Sequence, residues 1–349
     1  MELEVIDLKS KSKWNDLADS MSGNDVFYDP RYFDIMRRTR GLSNHFKGCP
    51  MMVHIHDKDN NMIYPFLVRK IRNQDVYENI SDILNPYGYG GMIFSNYNMI
   101  FIRRAIEEFY NFCIENRFVT EFSRLHPFID NQRFVNRVHP IEESGSTVYV
   151  DLMKSERQLK DEMSKPNRNS ISKAERSRVE VFESKDLRDV LDFYAVYIFK
   201  MIKKNANERY MFPFQLFRNF YDSMRRNITY LFAKHKDNVV ASSMFLHKGD
   251  RVYYYLSGSD MGADKVCANN KLINDAIFHF KERGFKMLCL GEGYDGNDSL
   301  FNFKAGFSNT RGKYHVYRKI IDYDKYHVLC DGEYDMGKNF FPLYRINDV

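Results

Sequence analysis

The chain has 349 residues, 44% hydrophobic and 28% charged, a globular composition long enough for two domains or one large one. Its 52 basic and 47 acidic residues leave a net charge of +5, which permits an anionic partner but is too slight for a dedicated DNA-binding protein. The five cysteines are widely spaced, with no Cys-x-x-Cys pair, so neither a disulfide framework nor a zinc site is implied and a cytoplasmic setting is expected.

Residues 1–7 are charged and lack the apolar core of a signal peptide. No run of about 18 apolar residues occurs, so membrane contact is expected to be peripheral at most. A short alternating strand opens the chain at 3–8, and helical patterns follow at 14–21 and 31–39, the second introduced by Pro30. Strands at 51–56 and 62–71 flank the turn 57–61 and read as a hairpin. The segment Asn85-Pro-Tyr-Gly-Tyr-Gly-Gly91 is a loop by composition. A long helix is predicted over 98–116, with Ile102, Ala105, Ile106, Phe109 and Cys113 on one face, followed by a strand at 119–125.

The second half repeats this order. A strand at 179–183 leads into helices at 187–204 and 213–226, strands at 228–234, 238–247 and 251–257, a helix at 269–283 that stops at Gly284, and a strand at 285–290. The agreement is one of pattern rather than identity and suggests a weak internal duplication of an α/β unit. Between the halves lie a strand at 147–152 and a charged helical stretch to about 178. The domain joint is therefore expected near 150, giving 1–150 and 151–349.

Three stretches could carry chemistry. In the first, a strand enters the glycine-rich loop Leu290-Gly-Glu-Gly-Tyr-Asp-Gly-Asn-Asp298, then a short helix closing on Phe303-Lys304-Ala305-Gly306-Phe307. Ligands gather where strands end in α/β folds, because backbone groups are free there. Asp298 reads as a helix N-cap and Asp295 as a turn residue. Glu292, between two glycines, is harder to explain structurally and is a candidate base.

The second stretch, Lys165-Pro-Asn-Arg-Asn-Ser-Ile-Ser-Lys-Ala-Glu-Arg-Ser-Arg178, is a basic helix whose entrance residues Arg168 and Asn169 could meet an anion; the rest reads as a solvated face. The third is the 85–91 loop, where glycines allow close approach and Tyr87 and Tyr89 offer flat polar faces. His126, at the end of a strand, could be a general base, though a structural role is the commoner one. The pair His54 and His56 has no third ligand nearby, so no metal is expected. No Gly-x-Ser-x-Gly elbow or Cys–His pair suggests a covalent nucleophile.

Several short motifs occur in a recognisable order: Phe27-Tyr-Asp-Pro-Arg-Tyr-Phe33, Pro86-Tyr-Gly-Tyr-Gly-Gly91, Arg124-Leu-His-Pro127, Arg168-Asn-Ser-Ile-Ser-Lys-Ala174, Asn269-Asn-Lys-Leu272 and Leu300-Phe-Asn-Phe-Lys-Ala-Gly-Phe307. In these the chain resembles the Fem-type peptidoglycan aminoacyltransferases and their FemAB-like, GNAT-like relatives. The resemblance implies an α/β (α+β) fold of two tandem GNAT-type domains, each with a mixed central sheet and flanking helices, the first on the acceptor side and the second holding the transfer site. It implies N-acyl or N-aminoacyl transfer to an amine of a cell-envelope, peptidoglycan or polysaccharide precursor, either small or lipid-linked. The donor would be a co-substrate, aminoacyl-tRNA or acyl-CoA, with no permanently bound cofactor. Lys304 would contact the donor or the reacting carbonyl and Arg168 would lie near acceptor phosphates, with Asn169, Tyr87, Tyr89, His126, Asn269, Asn270, Asp298 and Phe303 as further substrate contacts.

One departure concerns the donor. The segment Gly258-Ser-Asp-Met-Gly-Ala-Asp-Lys-Val-Cys-Ala-Asn-Asn-Lys271 stands where GNAT enzymes cradle the CoA pyrophosphate. It lacks the Arg/Gln-x-x-Gly-x-Gly pattern and carries Asp260 and Asp264, which would repel phosphate. That departure leans toward charged tRNA as donor. A different class of reading is a non-catalytic GNAT scaffold that binds RNA or an anionic glycan through residues 168–178.

Overall fold

A computed structural model describes residues 1–21, 25–72, 79–184, 186–294, 298–332 and 340–348. In chain order the elements of the first part are β1 (Glu2–Ile6), α1 (Lys11–Ser20), α2 (Pro30–Arg38), β2 (Cys49–His56), β3 (Asn61–Lys70), β4 (Ser81–Leu84), β5 (Ile93–Phe94), α3 (Met99–Glu115), β6 (Phe118–Arg124) and α4 (Asn131–Val135). There follow β7 (Glu142–Asp151), α5 (Glu156–Glu162), α6 (Lys165–Arg176), β8 (Glu180–Ser184), α7 (Leu187–Lys203), α8 (Phe214–Met224), β9 (Ile228–His235), β10 (Asn238–Lys248), β11 (Arg251–Ser259), α9 (Ala268–Glu282), β12 (Met287–Gly291), α10 (Ser299–Ala305), β13 (Arg311–Ile320) and α11 (Tyr323–Leu329).

The chain divides into two units, one formed by Met1–Ser144 with Tyr314–Val349 and the other by Gly145–Lys313. This differs from a simple cut at 150, chiefly because the last segment folds with the first unit. Val316 to Ile320 of β13 pair antiparallel with Arg124 to Thr120 of β6. Beyond them Tyr326, Leu329, Phe341 and Leu343 pack with Ile80 and Val119 in one apolar cluster.

Each unit follows the same plan. In the first, β1, β2, β3 and β4 form an antiparallel series, β4 pairs parallel with β6, and β13 closes the far side of β6. In the second, β8, β9, β10 and β11 are antiparallel, β11 pairs parallel with β12, and β7 closes the far side of β12. Both sheets are therefore mixed. The parallel pair in each requires a crossover, supplied by α3 in the first unit and α9 in the second.

Local chemistry accounts for these helices. Asn98 caps α3 by accepting from the Ile100 and Phe101 amides. The α3 face Phe101, Ile102, Ala105, Ile106 and Phe109 then packs on Val53, Ile55, Tyr64 and Phe66 of the sheet. In the second unit Leu272, Ile273, Ala276, Ile277 and Phe280 of α9 pack with Leu231, Phe245, Val252 and Leu288 of the sheet and with Ile171 and Ala174 of α6. The charged helical stretch expected up to 178 is two helices, α5 and α6. The chain becomes extended at Met163, and Ser164 starts α6 by accepting from the Asn167 amide, with Pro166 in the first turn.

Candidate active site

The second unit contains a break in its sheet. Strands β11 and β12 pair in parallel at Arg251–Met287, Val252–Leu288 and Tyr253–Cys289, and the pairing ends there. Beyond that point β11 runs on to Ser259 and β12 turns at Gly291, so the two strands part after Tyr253 and Cys289. Gly291 adopts φ +81°, a left-handed value that favours glycine, and a side chain there would meet the Lys304 ammonium at 3.4 Å.

The loop after Gly291 is fastened by Asp298. One carboxylate oxygen accepts from the Phe301 amide at 2.8 Å and caps α10; the other accepts from the Tyr294 amide at 2.9 Å. Asp298 is thus the N-cap that its position predicts. Asp295 lies outside the described residues.

Helix α10 carries Lys304 in its last turn. The side chain is 8% exposed, its Nζ donates to the Glu292 carbonyl at 2.8 Å, and it stands 5.7 Å from the centre of the Tyr254 ring. Burial pulls the Lys304 ammonium below its ordinary range, while Glu292, Tyr254 and Cys289 oppose the shift. An ammonium so desolvated interacts strongly with any negative charge that develops beside it. Cys289, on β12, is no rival as a nucleophile. Burial pushes its thiol up to about 11, and Thr147 Oγ1 lies 3.6 Å from its sulfur. Lys200 of α7 adds a second desolvated ammonium. It donates to Ser257 Oγ on β11 at 3.3 Å, and burial lowers its pKa.

Eight of the sequence-derived candidates fall in this unit. Lys304, Glu292 and Asp298 come together around the 291–304 loop. The backbone carbonyl of Glu292 is engaged by Lys304, and its side chain is half-buried. Phe303 is half-buried and stacks edge-on against Phe307 at 5.4 Å, a packing role. Arg168 and Asn169 are exposed in the first turns of α6, and the Arg168 guanidinium donates to the Met163 carbonyl. Asn269 and Asn270 open α9 and are half-buried. The Asn270 side chain donates to Asn167 Oδ1 at 3.1 Å, and the Ser164 amide donates to the Gly306 carbonyl at 2.8 Å. Asn167 therefore ties α6 to α9 beside Gly306. Of the remaining three, all in the first unit, Tyr87 is half-buried against Phe46. Tyr89 and His126 are 7% and 0% exposed, packed on Phe27, with His126 Nε2 3.5 Å from Asp25. As placed, Tyr89 and His126 offer a substrate little surface.

The sequence reading omitted Lys200, Tyr254 and Asn167. The first two sit in regular helix and strand patterns that give no local cue. Asn167 lies within the basic stretch but is outranked there by its charged neighbours.

The segment before α9 departs from a phosphate cradle in its hydrogen bonds as well as in its sequence. Asp260 Oδ1 accepts from the Gly262 amide at 2.7 Å and the Ala263 amide at 2.9 Å. The Ala268, Asn270 and Lys271 amides bond to the carbonyls of Ala263 and Cys267. Five amides of this segment that could face a pyrophosphate are thus engaged within the protein, two of them by a carboxylate.

Residues 164–304 match the family model described as Acetyltransferase (GNAT) domain. Among solved structures, the fold resembles FemX, with a TM-score of 0.65, 10% identity, and 94% of this chain and 99% of that one covered. It also resembles a conserved protein of unknown function from Bacteroides thetaiotaomicron VPI-5482, with a TM-score of 0.55, 10% identity, and 92% and 99% covered. A tandem GNAT protein from the clavulanic acid biosynthesis pathway gives a TM-score of 0.51, 9% identity, and 91% and 98% covered. No curated protein matches the sequence. The GNAT match thus falls within the second unit, and the whole chain shares the fold of FemX and of a tandem GNAT protein.

Proposed function

We propose that the protein is an N-acyl- or N-aminoacyltransferase acting in the cytoplasm on an amine of a cell-envelope or polysaccharide precursor. The observation that carries this reading is the Lys304 ammonium, desolvated beside Tyr254 and the Glu292 main chain where β11 and β12 part. The acceptor nitrogen attacks the donor carbonyl, forming a C–N bond and placing negative charge on the carbonyl oxygen. Lys304 neutralises that charge. Glu292 takes the proton from the nitrogen, and the tetrahedral centre collapses by breaking the C–O bond of an aminoacyl ester or the C–S bond of a thioester. Holding the two substrates together supplies much of the remaining acceleration. The 1–150 portion would serve the acceptor, and Arg168 at the exposed start of α6 would meet its phosphates.

The occupied amides of the segment before α9 favour a donor other than simple acetyl-CoA, and charged tRNA is the donor we assign. All five cysteines are free, in keeping with a reducing compartment. The test is a thermal-shift comparison of the purified chain with charged tRNA, uncharged tRNA and acetyl-CoA. A ligand that binds the native state raises Tm, so charged tRNA should do so at concentrations where acetyl-CoA does not. A shift with acetyl-CoA alone would contradict the donor assignment.

A further inference from the structure

The first unit carries an exposed apolar patch at the start of α3, beside Met99 and Phe134 at the edge of its core. The Asn98 cap turns the start of α3 outward, leaving Ile100 75% exposed, with Tyr97 63% exposed just before it. The patch is held in shape. The Asn98 amide donates to Asn96 Oδ1 at 3.0 Å, and the Tyr97 ring lies 4.8 Å from Phe134 on α4 with the Arg133 guanidinium 5.6 Å over it. Two adjoining grooves open here. One, about 350 Å³, is lined by Tyr97, Met99, Arg133, Phe134 and Arg137; the other, about 410 Å³, by Met99, Ile100, Arg103 and Arg137.

The charge around these apolar groups has one dominant sign. Arg133 lies 3.7 Å from Asp130, whereas Arg103 and Arg137 are exposed and form no ion pair among the described residues. The exposed acids of α3 begin a turn further along, at Glu107 and Glu108, so the basic character is concentrated at the helix tip. An exposed isoleucine beside a tyrosine leaves apolar area in water, and the arginines around it leave a net positive rim. Such a patch suits a surface where apolar tips enter hydrocarbon, a tyrosine lies at the polar boundary and arginines meet phosphates.

We propose that this tip of the first unit docks on an anionic phospholipid bilayer. Tyr97 and Ile100 enter the interface, and Arg103, Arg133 and Arg137 hold lipid phosphates. No helix of the described residues is long and apolar enough to cross a membrane, so the contact is peripheral. An RNA partner fits less well, because nucleic acid rewards basic residues and stacked rings but gives nothing to the exposed aliphatic Ile100. The inference is independent of the acyl-transfer reading.

The experiment is flotation of the full chain with vesicles of phosphatidylcholine alone and with phosphatidylglycerol mixed in. The chain should float only with the anionic vesicles. Arg103→Ala and Arg137→Ala should each lower the bound fraction roughly fivefold, the effect of about one basic residue near such a surface. Ile100→Asp should lower it too, with Tm unchanged because the site is exposed. Arg157→Ala, at a position 92% exposed in the second unit, should leave it unaltered. Equal flotation by Ile100→Asp and wild type, or flotation with phosphatidylcholine alone, would overturn the proposal. So would failure to bind vesicles combined with tRNA binding that Arg103→Ala weakens.

Discussion

The most distinctive buried side chain in the first unit is Glu121, 1% exposed on β6. Tyr64 donates to one of its oxygens at 2.7 Å and Tyr110 to the other at 2.6 Å, with Tyr317 2.7 Å from the Tyr110 hydroxyl. Burial raises its carboxyl from an ordinary value of 4.5 to about 7, against the pull of both tyrosines and Lys319. Because the folded pKa is raised, the native state holds a proton that the unfolded chain gives up above about 4.5. The associated stability is complete below that pH and is lost as pH rises through about 7. Urea unfolding should therefore show stability falling by on the order of 3 kcal/mol between pH 4.5 and pH 8 from this group. Glu121→Gln, which keeps a neutral side chain of the same shape, should remove that part of the pH dependence; an unchanged slope would refute the assignment. Nothing local marked Glu121 in the sequence, since a lone acid in a strand reads as a solvent-facing position.

Among the elements, β11 shows how the site is framed. Its end lies so close to α7 that a side chain at Gly258 would fall 2.3 Å from the Tyr197 backbone nitrogen and 2.4 Å from the Val196 carbonyl carbon. Backbone atoms of a packed helix cannot yield as a flexible side chain can. Gly258→Ala should cost about 3 kcal/mol in urea unfolding, and a loss below about 1 kcal/mol would mean that α7 is free to move away from β11. Most elements were legible because their apolar faces have clear period. The α3 face and the meander of β9, β10 and β11 fall within a residue or two of the predicted ranges. Strand β13 escaped because Arg311–Ile320 is half charged and aromatic, with only Val316, Tyr317 and Ile320 fully buried, so its alternation is weak. Strand β4, four residues long and buried throughout, offers too short a run to show a period.

At the scale of the whole molecule, the repeated order of strands and helices in the two halves was enough to point to a tandem architecture. What the sequence could not show was that the last segment returns to the first unit, because the pairing of β13 with β6 joins residues almost two hundred positions apart. The site was legible in part for the same reason. Glu292, Asp298 and Lys304 are close in sequence and stay close in the fold, whereas Lys200 and Tyr254 reach the second unit's broken sheet edge from distant elements. The central claim is that the Lys304 ammonium, where β11 and β12 part, neutralises the charge of the transition state. Its most direct test is single-turnover transfer by Lys304→Met, a change of similar length without the charge, using the donor that raises Tm and an amine acceptor. The rate should fall by about 10²–10³-fold with donor binding and fold retained, and turnover within about twofold of wild type would refute the role of Lys304.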